Sequence, residues 1–150
     1  MRGWLLDTNV VSALAGSKPA DRIARWSDAQ PNRALYISIL SIAEYRKGIQ
    51  HLPPQDPLLP RLNQILLAVE ARFAGRILPV SNLIALRWGT ISGEIKRTTR
   101  HSPPVIDTML AATAIEHNLY LATRNTSDVK YSGAAIFNPW KDDPKHFPLL

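Results

Sequence analysis

A chain of 150 residues is about the size of one domain and can bury a core unaided, and the absence of cysteine excludes disulfides, thiolate metal sites and a cysteine nucleophile. With 45% hydrophobic and 20% charged residues, the composition is that of a globular protein and excludes a disordered or membrane-embedded one. Eighteen Lys and Arg against twelve Asp and Glu leave a net charge of +6, which suits a polyanionic partner and serves solubility equally well.

In chain order, Trp4-Leu5-Leu6 reads as a short buried strand, and Asp7-Thr8-Asn9 supplies capping side chains for an apolar helix from Val10 to Leu14 that Gly16 stops. The opening apolar run meets a carboxylate at Asp7, too soon for a signal peptide or a membrane span, so the chain is expected in the cytoplasm with no membrane partner. Asp21 to Trp26 continues as a second helix with Ile23 and Trp26 inward. Leu35-Tyr36-Ile37-Ser38 is a strand by its β-branched and aromatic content, and a helical pattern follows at once from Leu40 to about Gln50.

His51 to Pro60 holds four of the twelve prolines and reads as a loop, after which Leu62, Ile65, Leu66, Val69 and Phe73 recur at helical spacing. Ile77-Leu78-Pro79-Val80 is a third strand whose proline suits a sheet edge or a strand end. Ser81 caps a long helix through Leu83, Leu86, Ile91 and Ile95 that is expected to dissolve in the basic run Lys96-Arg97-Thr98-Thr99-Arg100-His101. Pro103-Pro104 then precedes a helix from Ile106 to His117 with Asn118 as its stop, Leu119 to Thr123 and Ala135 to Phe137 complete the strands, and Lys141 to Leu150 reads as an irregular tail. Strands alternating with helices imply right-handed crossovers. The expected architecture is a three-layer α/β/α sandwich with a mainly parallel central sheet, forming a single domain over residues 1–150.

In open α/β sheets ligands gather beyond the carboxyl ends of the strands. Asp7 closes the first strand, Glu44 lies one turn into the helix after the second, Asp107 starts the helix leading to a later strand, and Arg124-Asn125-Thr126-Ser127-Asp128 follows that strand. Carboxylates converging there raise one another's pKa unless cations neutralise them, so such a cluster invites a hard divalent metal. Each residue also has an ordinary use. Asp7 can cap its helix, Glu44 can complete a capping box with Ser41, Asp107 can satisfy a helix dipole, and Asp128 can be a turn residue. Their joint placement favours a site. His51, His101, His117 and His146 fall in loops or at helix ends, and no Ser/His/Asp arrangement suggests itself. An aspartate after the first strand also suits phosphoaspartate enzymes, for which Lys130 is the nearest lysine.

Leu5-Leu6-Asp7-Thr8-Asn9-Val10-Val11-Ser12, Ile39 through Ile49 around Ala43-Glu44-Tyr45, Pro104 through Ala114 around Ile106-Asp107-Thr108, and Leu121-Ala122-Thr123-Arg124-Asn125 together resemble the PIN-domain family. Within it they are similar to the VapC and FitB-like toxins of bacterial toxin–antitoxin systems, and the resemblance covers nearly the whole chain, ending with Asn138-Pro139-Trp140. It implies a Mg²⁺- or Mn²⁺-dependent ribonuclease, a homodimer, held inactive by an antitoxin protein. Carried over by position, Asp7, Glu44 and Asp107 are acidic metal ligands, and the fourth acid falls at Asn125 or, three residues later, at Asp128. Asp128 is taken as the fourth ligand and Asn125 as support, with Asn9 and Thr123 as further polar support. Such a site activates water and requires no nucleophilic side chain.

Arg46, Lys47, Lys96, Arg97, Arg100 and Arg124 flank these segments and are candidates for the RNA backbone, or else lie on solvated helix faces. The tryptophans suit base stacking or packing. The runner-up function is a catalytically impaired RNA-binding or protein-interaction module of the same fold.

Overall fold

The computed structural model describes residues 1–16 and 20–150. Its centre is a sheet of β1 (Trp4–Leu6), β2 (Leu35–Ser38), β3 (Ile77–Leu78), β4 (Tyr120–Ala122) and β5 (Ile136–Phe137), paired in the order β3-β2-β1-β4-β5 with every neighbouring pair parallel. Parallel pairing requires a crossover between consecutive strands, and the helices α1 (Thr8–Ala15), α2 (Asp21–Asp28), α3 (Ile39–His51), α4 (Leu59–Arg72), α5 (Asn82–Thr99) and α6 (Val105–Glu116) supply the crossovers. A one-turn helix, α7 (Thr126–Val129), joins β4 to β5. The three-layer arrangement and parallel sheet are as the strand–helix alternation predicts, and β3 lies at an edge as Pro79 suggests.

The period of two along β1 divides the core. Trp4 and Leu6 face a cluster with Val10 and Val11 of α1, Ile23 and Trp26 of α2, and Leu66 and Val69 of α4. Leu5, between them, faces Leu110, Ala111 and Ala114 of α6 and Val129 of α7. The outer helix α5 packs Ile84, Ile91 and Ile95 onto Ala112, Met109 and Ile115 of α6 and forms a separate cluster. Gly3 is required where β1 begins, because a Cβ there would run into the Ala34 carbonyl.

Two expectations need correction, an alternative use of Glu44 falls away, and the irregular tail is as expected but tied down. The long helix α5 does not dissolve in the basic run but continues through Lys96 and Arg97 to Thr99, ending at Arg100 in the left-handed region with φ 64°. Threonine hydroxyls bonded back to the carbonyls of Glu94 and Ile95 accompany those last turns. The segment after Asn125 is the helix α7 and not an open turn. No capping box joins Ser41 to Glu44: Ser38 caps α3 by accepting from the Leu40 N–H, and Ser41 lies one turn inside. Finally, the tail from Lys141 has little regular structure beyond a turn at Pro144–His146, yet it is fastened to the sheet. Phe147 packs on Phe137 and Tyr120 with ring centroids 4.9 and 5.3 Å apart, and the Tyr120 hydroxyl donates to the Pro148 carbonyl.

Candidate active site

The chain winds from β1 out to β3 and then returns to place β4 on the other side of β1, so the strand order reverses between β1 and β4. At such a switch point the loops leave in opposite directions and open a crevice beyond the strand ends. Asp7 stands at that point on β1 and Thr123 at the same point on β4. The Thr123 hydroxyl donates to Asp7 Oδ2 at 2.7 Å, bridging the crevice floor. Asn9 Nδ2 donates to the same oxygen at 2.9 Å, and the Thr8 N–H donates to Oδ1 at 2.6 Å, making Asp7 the N-cap of α1. Asp7 is therefore a cap and a member of the acidic edge at once. It is only 5% exposed, and burial pushes its carboxyl above the ordinary aspartate value despite these three donors.

Three further acids face it. Glu44, half-buried on α3, accepts from the Thr8 hydroxyl at 2.5 Å. Asp107 lies in the first turn of α6, which Pro104 opens without a side-chain cap. Asp128 lies on α7, exposed and close enough to share a hydrogen bond with Asp107. Burial first, then repulsion from Asp7, Asp128 and Glu44, pushes the Asp107 carboxyl up to about 6. The predicted acids thus share one electrostatic neighbourhood, and the donor set consists entirely of hard oxygens. Among the described residues, no three His, Cys, Asp or Glu side chains are drawn together closely enough to chelate an ion unaided.

The supporting residues divide. Thr123 and Asn9 both touch Asp7, and Asn9 Oδ1 also accepts from the Arg124 N–H at 3.3 Å. Asn125 contributes its backbone, donating its N–H to the Thr123 hydroxyl at 3.0 Å, while its side chain is exposed. Sequence reasoning missed the part played by Thr8, which faces Glu44 and Ser41 only after α1 and α3 are docked. A tertiary contact of this kind leaves no local signature.

Among the described residues the ion pairs are Arg46–Glu70 and Arg87–Glu116, so no lysine or arginine neutralises the four acids directly. Arg46 is turned to α4, Lys47 lines a groove with Glu44, and Lys96, Arg97 and Arg100 are exposed along the end of α5 that leads toward Asp107. Arg124 is exposed, its guanidinium 4.1 Å from the centre of the Trp140 ring. Trp4 and Trp26 are core residues, and Trp88 donates to the Thr108 hydroxyl, so these three pack. Lys130 lies over the Tyr131 ring, so the lysine that the phosphoaspartate reading would use is engaged there.

Comparison with known proteins agrees with this geometry. The PIN domain family model matches residues 4–131. Toxin FitB of Neisseria gonorrhoeae is 36% identical over 141 residues, covering 92% of this chain and 99% of that protein. The VapC ribonuclease Y4jK of Sinorhizobium fredii is 33% identical over 137 residues, covering 91% and 97%. The crystal structure of FitAcB from Neisseria gonorrhoeae superposes with a TM-score of 0.79 at 32% identity, covering 93% of this chain and 99% of that one. DNA-bound VapBC from Salmonella typhimurium, at 21% identity and a TM-score of 0.77, shares the fold. With the family match running from β1 through α7 and these relatives aligned almost end to end, the chain belongs to the PIN-domain family.

Proposed function

We propose that this protein is a divalent-metal-dependent endoribonuclease, the toxin of a toxin–antitoxin pair, hydrolysing RNA phosphodiester bonds at the acidic edge beyond β1 and β4. The observation that carries the reading is the gathering of Asp7, Glu44, Asp107 and Asp128 at one sheet edge, which together with burial pushes the Asp107 carboxyl up to about 6, with no lysine or arginine in ion-pair reach of them among the described residues. Negative charge crowded at a topological switch point without a counterion is an arrangement that a cation completes. Mg²⁺ suits it, because this ion binds through one or two carboxylates and keeps several waters instead of demanding an all-protein cage, and Mn²⁺ accepts the same donors.

Asp7, Glu44, Asp107 and Asp128 would hold the ion, which when bound lowers the pKa of a water and neutralises charge on the phosphodiester. The chain's own part is positioning. Thr123, Asn9 and the Thr8 N–H fix Asp7, Thr8 fixes Glu44, and the first turn of α6 points Asp107 inward with the helix dipole behind it. Arg124, over the Trp140 ring, and Lys47, beside Glu44, offer cations for the RNA backbone. The names of the relatives, a toxin FitB and a VapC ribonuclease, support the activity, and the FitAB complex bound to a DNA fragment supports an antitoxin partner. Homodimerisation and a cytoplasmic location belong to the same reading; among the described residues no helix is long and apolar enough to cross a membrane.

The test is cleavage of single-stranded RNA by the purified protein, with Asp107→Asn prepared in parallel. Cutting that requires Mg²⁺ or Mn²⁺, stops in excess EDTA and is lost in the variant supports the proposal; equal cutting by both proteins in EDTA overturns it. The exposed Asp128 and neutral Asn125 favour a second reading, a module that binds RNA without cutting it. Undiminished affinity with no cleavage at any metal concentration would establish that reading.

A further inference from the structure

Along α3, residues Leu40, Ala43, Glu44, Lys47, Gly48 and His51 recur at spacings of three and four and share one face. With Ile106 of α6 they line an open groove of about 490 Å³. It starts where Glu44 faces Ile106, the residue before Asp107, and is therefore continuous with the acidic edge. The volume falls in the range of small-molecule sites, about 300–1,000 Å³. Half-buried Leu40 and Ile106 give it an apolar floor, and Lys47 and His51 stand exposed along its rim.

Gly48 sits in the interior of α3, where glycine is about 1 kcal/mol less favourable than alanine. A Cβ built there would meet nothing within 4 Å, so no packing among the described residues demands its absence. Gly48 and Glu44 also border a second groove on the opposite flank of the helix, with Thr8, Ser12 and Tyr45. Backbone left bare between two troughs, one turn from an acidic residue of the site, is where a flat group from outside can approach closely.

We infer that the groove over Gly48 is a nucleotide subsite, taking the unstacked base next to the scissile phosphate of a single-stranded RNA, with the adjoining phosphate against Lys47. This rests on the ribonuclease reading and adds to it a place for the base. The base lies on Leu40, Ala43, Gly48 and Ile106, whose apolar and backbone surface accepts any flat ring. Duplex RNA is excluded because its bases are stacked and paired and cannot enter a side groove. Lys47 supplies the positive charge, its ammonium free of any carboxylate within ion-pair distance among the described residues.

The experiment is fluorescence anisotropy with a single-stranded RNA oligonucleotide of mixed sequence in EDTA, which withholds the metal that cleavage requires, titrated with the parent, Gly48→Leu and Lys47→Met at several salt concentrations. Thermal melting and Mn²⁺ affinity are measured on the same proteins. Gly48→Leu is expected to bind about tenfold or more weakly, with a melting temperature equal to or above the parent's and unchanged Mn²⁺ affinity, because leucine fills the groove and is the better helix former. Lys47→Met is expected to reduce the slope of log affinity against log salt by about one. Gly48→Leu binding the single strand as tightly as the parent overturns the subsite, and so does a parent that prefers the duplex form of the same sequence. Failure of the parent to cut RNA with any divalent metal overturns the ribonuclease reading itself, a result distinct from either.

Discussion

The Thr8 hydroxyl donates to Glu44 Oε1 at 2.5 Å while lying 3.0 Å from the buried Ser41 hydroxyl. A threonine has one proton to give, and the carboxylate is the stronger acceptor, so Ser41 must supply the proton of the second contact. The relay fastens α1, which carries Asp7 on its cap, to α3, which carries Glu44. Thr8→Val keeps the shape and removes the relay. Its cleavage rate is expected to fall about ten- to a hundredfold, the usual range for a partner that orients a metal ligand, with Thr8→Ser restoring most of it. Single-turnover rates at saturating Mn²⁺ check this; a parental rate for Thr8→Val would show that Glu44 needs no such anchor.

Asp107, raised from 3.8 to about 6, gives the metal-free protein an unusual pH dependence. In that window the native state holds a proton that the unfolded chain has released, so stability falls as pH rises from 3.8 to about 6 and stays lower above it. Asp7 is shifted in the same direction. Because Asp107 is half-exposed, solvent screening reduces its share to about 1 kcal/mol. Melting in EDTA is therefore expected to show a higher midpoint at pH 5 than at pH 7, and saturating Mg²⁺ at pH 7 should remove the difference. A midpoint independent of pH between those values would contradict the acidic cluster.

Amide substitutions separate two acids that look alike in sequence. Asp107→Asn relieves repulsion without breaking a cap and is expected to raise the metal-free melting temperature at pH 7 by about 2–4 °C. Asp7→Asn presents an NH2 group where donors from Thr8, Thr123 and Asn9 converge, leaving at least one of them unpaired in a buried place. That loss costs about 1–3 kcal/mol, partly offset by removal of a buried charge, so its melting temperature should fall. Calorimetry of both variants in EDTA checks the opposite signs, and cleavage should be lost in each.

Asp128 lies close enough to Asp107 for its negative charge to help push the Asp107 carboxyl up. Asp128→Asn should therefore move the Asp107 titration downward in the metal-free protein, followed by carboxyl-carbon NMR. If Asp128 is also a ligand, cleavage falls about tenfold, or 1.4 kcal/mol of transition-state stabilisation. A lowered titration with an unchanged rate would leave Asp128 as an electrostatic neighbour and the site with three acids.

The fold was legible because period-two strands and period-3.6 helices leave different marks, and Pro79 and Ser81 mark the end of one element and the start of another. The proximity of Asp7 to Asp107 and Asp128 follows from strand ends and helix starts in a parallel sheet, which the order of elements dictates. What remained hidden was set by tertiary contact. The basic run reads as a breaker, yet α5 persists through it because Ile91 and Ile95 are held against α6. Arg124–Asn125–Thr126–Ser127–Asp128 has turn composition, but Val129 buried against α6 winds it into α7. The Ser41–Glu44 spacing imitates a capping box; Ser38, at the true end of β2, had the cap.

The separate packing of α5 has a kinetic consequence. Its apolar stripe packs chiefly on α6, which is itself held between α5 and the sheet, with Ala112 facing one and Leu110, Ala111 and Ala114 the other. Detaching α5 exposes one face of α6 and leaves the sheet core intact, so it should open as a unit of its own, below the free energy of global unfolding. Native-state hydrogen exchange should find α5 amides leaving in a denaturant-sensitive step while those of β1 and β4 wait for complete unfolding. Asp7, whose N–H is bonded to the Ala122 carbonyl, would then stand on the last part of the molecule to let deuterium in, and Leu83 and Leu86, exposed on α5, on a part that admits it early.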